Sequence, residues 1–324
     1  MRAALVERLG EPPVVRELDE PEPRPGELLV EVAAAPLNPI DLSIASGGFY
    51  GGAPETPYVP GVEGLGRVLS AEGLEPGTRV YVESGGGRGG PGSYAERVAV
   101  ERAAAIEVAE GVDDALAACL GVAGLAAWLP LEWRACVQEG ESVLVLGASG
   151  AVGQLAVQAA QLLGAGRIVA AARDAEGLER ARALGADATV DLSAPRDGDE
   201  LAETLSGSVG GEGFDVVLDP LWGEPAVAAA KASATGARMV QLGQSAGAEA
   251  TLASATVRGR ALSILGYSNF LAPAEVRADA LRRMIEHAAT GRLTVEREEL
   301  PLAEVETAWR RQAGPPHRKL VLRP

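Results

Sequence analysis

Two periodicities divide this chain. Over roughly its first hundred residues, short apolar runs alternate with turns. Leu28-Leu29-Val30-Glu31-Val32, Gly66-Arg67-Val68-Leu69 and Arg79-Val80-Tyr81-Val82 stand between proline- and glycine-rich breaks such as Pro21-Glu22-Pro23-Arg24-Pro25-Gly26 and Glu75-Pro76-Gly77. Runs of that length and punctuation predict strands, and their spacing predicts a small, partly open barrel. A glycine-rich stretch at 85–92 reads as a mobile loop before a further strand at 94–100. From about residue 111 the texture changes to alternating strand and helix. Strand 143–146 leads to a helix over 154–163, and strand 167–172 to a helix over 175–184, where Leu178, Ala181 and Leu184 recur at helical spacing. Strands at 189–191, 214–219 and 238–243 and a helix at 224–233 continue the series. Repeated βα units predict a parallel sheet with helices on both faces. Beyond residue 263, a helix near 273–290 and the strand Lys319-Leu320-Val321-Leu322 are expected to return to the first domain. The expected organisation is one domain from 1–112 and 263–324, with a second, 113–262, inserted.

The chemistry concentrates where strand 143–146 meets its helix, at Gly147-Ala148-Ser149-Gly150-Ala151-Val152-Gly153. A strand, a small-residue turn and a helix present free backbone N–H groups and a positive dipole end to an anion. Ser149, Gly150, Ala151, Val152 and Gly153 are therefore expected to cradle the pyrophosphate of a dinucleotide. The next strand ends in Ala172-Arg173. An NAD-selective site places an acid there to hold the ribose hydroxyls, whereas a guanidinium can pair with a 2′-phosphate. The expected cofactor is NADPH, with Arg173 on its phosphate. Asp174 leaves a second option open, as a neutraliser of Arg173 or a ribose acceptor in a shifted register. Leu242 and Gly243 end a strand at the carboxyl edge of the sheet, where open α/β sheets bind ligands, and are expected near the nicotinamide carboxamide. Trp222 reads either as a wall of the substrate site or as core.

Composition narrows the setting. The 324 residues hold 47% apolar and 23% charged side chains, an ordinary globular balance, and a net charge of −16 that disfavours a phosphate-backbone partner. The two cysteines, Cys119 and Cys136, and the two histidines, His287 and His317, fit neither a zinc cluster nor a disulfide framework. The N-terminus lacks a signal-peptide pattern, and the charge-free run 115–131 reads as a buried helix rather than a membrane span. A cytoplasmic protein with no membrane or nucleic-acid partner is expected.

Several motifs resemble the medium-chain dehydrogenase/reductase superfamily, especially its zinc-free quinone oxidoreductase branch. They are Pro36-Leu37-Asn38-Pro39-Ile40-Asp41 with Ser46-Gly47, Pro60-Gly61-Val62-Glu63-Gly64-Leu65-Gly66, the turn at 147–153, Ala183-Leu184-Gly185-Ala186-Asp187 and the terminal Lys319-Leu320-Val321-Leu322. The resemblance covers nearly the whole chain. It implies an α/β fold with a GroES-like, partly open β-barrel domain and an inserted Rossmann domain with a doubly wound parallel sheet. It also implies a homodimer. Zinc-dependent members carry a cysteine ligand near Asn38, Gly-His-Glu in place of Gly61-Val62-Glu63, and a four-cysteine lobe in place of the short 85–92 stretch. The departures imply metal-free chemistry.

Hydride transfer without a Lewis acid suits a quinone or an α,β-unsaturated carbonyl, whose conjugation spreads the incoming charge. The resemblance places Asn38 near the nicotinamide; an Asx-type turn before Pro39 is the alternative. It compares Tyr50 with a tyrosine set over the acceptor, the alternative being an exposed loop residue. It makes Tyr267 and Ser268, in Gly266-Tyr267-Ser268-Asn269, part of a late cofactor-contacting loop. The family's frequent tyrosine and threonine are replaced by Ser43 and Ala126. Two further readings stay open: an enoyl-thioester reductase, and a non-enzymatic NADPH-binding structural or sensor protein.

Overall fold

A computed structural model describes residues 1–194, 197–314 and 317–324. The chain divides into two compact units. One comprises Met1–Val122, Leu281–Gly291 and Val295–Pro324; the other comprises Ala123–Ala280 and Arg292–Thr294.

The first unit opens with the antiparallel pair β1 (Arg2–Leu5) and β2 (Val14–Glu17). Then come β3 (Glu27–Pro36), α1 (Pro39–Ala45), β4 (Glu63–Ser70), β5 (Arg79–Glu83), β6 (Arg97–Glu101), β7 (Ala105–Glu107) and α2 (Asp114–Cys119). Strand β3 is the hub, pairing with β4 and with β6, while β5 bridges β4 and β7. Its alternation sends Leu28, Val30 and Val32 into a core shared with Val68, Val80, Val82 and Val98. The stretch expected to be a mobile loop at 85–92 is instead packed. Gly85 and Gly86 N–H donate to Pro91 O at 3.0 and 3.5 Å, and Arg88 N–H donates to Gly85 O at 2.9 Å. A Cβ on Gly92 would fall 2.0 Å from Pro60 O, so glycine here permits backbone to lie against backbone.

The charge-free run 115–131 is helical but interrupted. Asp113 caps α2 by accepting from Leu116 N–H at 2.9 Å. Gly121 (ψ −105°) breaks the helix before α3 (Leu125–Leu129) begins. Among the described residues, the run Asp114–Arg134 is long and apolar enough to cross a membrane, yet 83% of its apolar window is buried inside the protein.

The second unit continues with β8 (Ser142–Leu146), α4 (Ala151–Leu162), β9 (Arg167–Ala172), α5 (Ala175–Ala183), β10 (Ala188–Asp191), α6 (Gly198–Val209), β11 (Phe214–Asp219), α7 (Gly223–Ala232), β12 (Ser233–Gln241), α8 (Ser254–Gly259), β13 (Ser263–Gly266) and the start of α9 (Ala274–Ala289). Six parallel strands lie in the order β10-β9-β8-β11-β12-β13. Every residue of β8 is buried, which explains its unbroken apolar run. The expected boundary at 262/263 falls inside this unit. Strand β13 pairs with β12 from Arg238↔Ser263 to Gln241↔Gly266, and so belongs to the parallel sheet. Helix α6 was not expected from periodicity, although Asp197 and Glu200 form a capping box at its start.

The chain re-enters the first unit within α9, at Leu281, and after Arg292–Thr294 completes it with β14 (Arg297–Pro301), α10 (Val305–Ala313) and β15 (Lys319–Arg323). Strand β15 pairs antiparallel with β3 at Val321↔Pro36 and Leu322↔Ala35. That register sets Lys319 against the residues that follow β3.

Candidate functional site

The turn between β8 and α4 has the geometry of an anion cradle. Helix α4 begins at Ala151, three residues earlier than the apolar periodicity indicated, and its N-cap is Gly150. A glycine cap supplies no side-chain oxygen, so the first-turn N–H groups stay open to an anion. A Cβ on Gly150 would meet only Gly147 O, at 3.6 Å, so the chain's own packing does not demand glycine there. Gly153 differs: its Cβ would lie 2.4 Å from Ala148 Cα, so the helix can press on the turn only without one. Ser149, Ala151 and Val152 lie on the same turn and first helical residues.

Arg173, just beyond β9, is exposed. Asp174 has local partners of its own. Asp174 is the N-cap of α5, accepting from Gly177 N–H at 2.7 Å, and it pairs with Arg180 at 3.4 Å. Its carboxylate is engaged by the next helix.

At the carboxyl ends of β11 and β12, Leu242 N–H donates to Asp219 O at 2.9 Å, and Gln241 Nε2 donates to Gly243 O at 2.7 Å. Of the backbone groups expected to meet a carboxamide, the Leu242 N–H and the Gly243 carbonyl are thus committed within the chain. Tyr267 N–H donates to Gln241 O at 2.9 Å and its hydroxyl donates to Asn269 Oδ1 at 2.8 Å. Burial raises that phenol above its ordinary value. Ser268 is half-buried and caps the short helical turn Asn269–Leu271. Sequence reasoning missed the tension next door. Trp222 has φ +57° and ψ −160°, a conformation costing a non-glycine residue about 1–3 kcal/mol.

The first unit holds a buried polar cluster that sequence reasoning also missed as a cluster. Asn38, expected near the reacting atoms, is 2% exposed and spent on its own chain. Its Nδ2 donates to Glu63 Oε1 at 2.8 Å and to Pro36 O at 3.2 Å, while its Oδ1 accepts from Lys319 Nζ. Glu63 also accepts from Tyr81 OH at 3.1 Å and Val122 N–H at 2.6 Å, with Lys319 Nζ 3.8 Å from its Oε1. Burial pushes the Glu63 carboxyl up, against the lowering by the ammonium and three hydrogen bonds. Asp41 accepts from Asn38 N–H and Tyr94 OH, both at 2.8 Å, and from Val62 N–H at 3.1 Å. Burial raises its pKa to about 6. The Asn38 amide thus bonds within its own chain, to Pro36 O, Glu63 and Lys319. Tyr50 is the opposite, 82% exposed on the loop after α1 with its ring 4.3 Å from that of Phe49. The signal that could have found the cluster is compositional: only two of 29 basic residues are lysines, and one is Lys319.

Comparison with known proteins is consistent with both units. Residues 24–110 match the model of the alcohol dehydrogenase GroES-like domain, and residues 151–286 match that of zinc-binding dehydrogenase. The bovine quinone oxidoreductase-like protein 2 is 32% identical over 269 residues, covering 82% of this chain and 74% of the relative. A mycocerosic acid synthase-like polyketide synthase of Mycobacterium tuberculosis is 31% identical over 231 residues, 70% of this chain but only 10% of that protein's length. The crystal structure of the quinone oxidoreductase from Thermus thermophilus superposes with a TM-score of 0.82 at 31% identity, covering 100% of both chains.

The zinc in the second family description has no fitting donor set here. Among the described residues, no three His, Cys, Asp or Glu side chains converge. The buried carboxylates already accept several hydrogen bonds each, and burial pushes the Cys119 thiol up to about 12. A lysine ammonium beside Glu63 opposes a second cation. With its GroES-like domain, its parallel-sheet domain and its full-length likeness to the Thermus quinone oxidoreductase, the chain belongs to the medium-chain dehydrogenase/reductase superfamily, in its quinone oxidoreductase branch.

Proposed function

We propose that this protein is an NADPH-dependent reductase that delivers hydride to a quinone or an α,β-unsaturated carbonyl without a metal. The observation that carries the cofactor half is the pairing of an open α4 N-terminus with an exposed Arg173 whose neighbouring acid is occupied. The Thermus protein was crystallised with NADPH, and both it and the bovine relative are named for quinone oxidoreduction, which supports the same reading.

The reduced nicotinamide supplies a hydride when bound. The chain supplies the rest. The first-turn N–H groups of α4 and its dipole hold the pyrophosphate, with Gly150 letting it approach the backbone. Arg173 pairs with the 2′-phosphate in bidentate fashion, and Asp174, tied to Gly177 N–H and Arg180, does not repel it. A conjugated acceptor spreads incoming charge by itself, so binding, orientation and one hydrogen bond to the developing oxygen suffice. The anion left by hydride addition takes up one proton, from the Tyr50 hydroxyl or from solvent. Asn38, Glu63 and Lys319 hold the residues after β3 in place.

Replacing Arg173 with alanine tests the phosphate role. NADPH affinity should fall about tenfold to a hundredfold, the worth of a charged hydrogen-bonded pair, with NADH affinity unchanged. An equal loss for both nucleotides would remove Arg173 from the site. The polyketide synthase relative is the observation that favours a second acceptor class, an enoyl thioester.

A further inference from the structure

The turn after β11 carries strain that the dinucleotide reading leaves unused. At φ +57° and ψ −160°, Trp222 occupies a backbone region that glycine tolerates and side chains avoid. Gly223 follows with φ +63°, so two successive residues have positive φ and the first bears an indole. The chain holds it firmly. Asp219 Oδ1 accepts from Leu221 N–H and Trp222 N–H, both at 2.9 Å, and Ala246 N–H donates to Leu221 O at 2.8 Å. Asp219 itself is 0% exposed, and its Oδ2 has no donor among the described residues. A carboxylate buried this completely acts on the turn that it caps.

Its place in the sheet says which ligand. The strand order reverses between β8 and β11: from β8 the chain moves out to β9 and β10, and β11 starts the other half. Open parallel sheets bind ligands in the crevice beyond the carboxyl ends at such a reversal. The β8 turn lines one side, and the Asp219 turn the other. A Cβ on Gly147 would lie 3.2 Å from Pro220 Cγ and 3.2 Å from Leu221 Cδ2, so the two turns touch. Arg173 marks the adenosine side, past β9. The Asp219 turn, joined to β12 by the Leu242–Asp219 bond, lies on the other.

We propose that Trp222 is a binding residue for the nicotinamide half of the dinucleotide, with Asp219 as the positioning residue that holds its indole at a glycine-type backbone position. The proposal rests on the dinucleotide reading above and deepens it. The indole is half-buried and packs on the apolar cluster of this unit, leaving part of its surface to a ligand. A planar, partly apolar nicotinamide nucleoside suits such a wall.

Calorimetric binding of two ligands tests this: NADPH, and the same nucleotide lacking its nicotinamide nucleoside. Trp222→Gly relaxes the backbone while deleting the indole, and Trp222→Ala deletes the indole with the backbone strain kept. In both, the Kd for NADPH should rise about tenfold, or about 1.4 kcal/mol, while that for the truncated nucleotide stays put. Asp219→Ala should follow the same split. An unchanged NADPH Kd, whatever the melting temperature does, would make Trp222 a packing residue and overturn the proposal. So would an equal loss for both ligands. Wild-type protein that binds neither ligand would instead overturn the dinucleotide reading, and this inference with it.

Discussion

Lys319 and Lys231 are the lysines in a chain that otherwise uses arginine for its cations, and Lys319 is the buried one. An arginine fork carries five donors and would need an acceptor for each; the space beside Glu63 and Asn38 offers two oxygens to a compact ammonium. Removing one member of a buried pair leaves the other charge uncompensated. Lys319→Met should therefore cost about 3–5 kcal/mol in denaturant unfolding, and the double variant Glu63→Gln/Lys319→Met should recover most of it. Equal stability of the single variant and the wild type would show that Glu63 is neutral and the pair is not ionic. Asp41 makes a separate prediction. Its pKa is raised from 3.8 to about 6 by burial, so the folded state binds its proton more tightly than the unfolded chain does. The stability this contributes is complete below pH 3.8 and is lost as pH rises through about 6, a change of about 3 kcal/mol. Asp41→Asn should flatten the unfolding free energy across that window; a slope identical to wild type would assign it to other groups. Such residues were hard to read in advance. Asn38 and Glu63 stood in recognisable motifs, but their partner Lys319 lies 281 positions from Asn38, and only the pairing of β15 with β3 brings them together.

At the scale of elements, the clearest sequence signal was the β8–turn–α4 unit, because local chemistry alone determines it. A fully apolar strand must be buried, and a turn of small residues must admit a close approach. The two glycines divide those duties, and the division is measurable. Gly150→Ala meets no clash, so its melting temperature should change little while NADPH binding weakens. Gly153→Ala drives a methyl into Ala148 and should destabilise the fold by about 1–3 kcal/mol. Equal behaviour of the two variants would contradict the separate roles. The reading failed where a local signal had two physical causes. Glycines at 85–92 looked like slackness but serve backbone packing, and Gly121 interrupts a helix that the charge-free run had presented as continuous. The polar helix α6 was missed because its apolar stripe is sparse, with Ala202, Leu205 and Val209 buried.

For the whole molecule, the change from short strands to βα repeats revealed two architectures, and the comparisons agree with both. The domain boundary was less legible, because β13 is short and carries no mark of which sheet it joins; only its parallel register with β12 shows that. The proposed function rests at this scale on two features together, an open helix N-terminus after β8 and a donor set ill-suited to zinc. The most direct measurement of both is NADPH oxidation by chelator-dialysed protein across a panel of quinones, enones and enoyl thioesters. Turnover is expected with a quinone or an enone, at a rate that added zinc does not increase. NADPH left unconsumed with every acceptor, or turnover that appears only when zinc is restored, would contradict it.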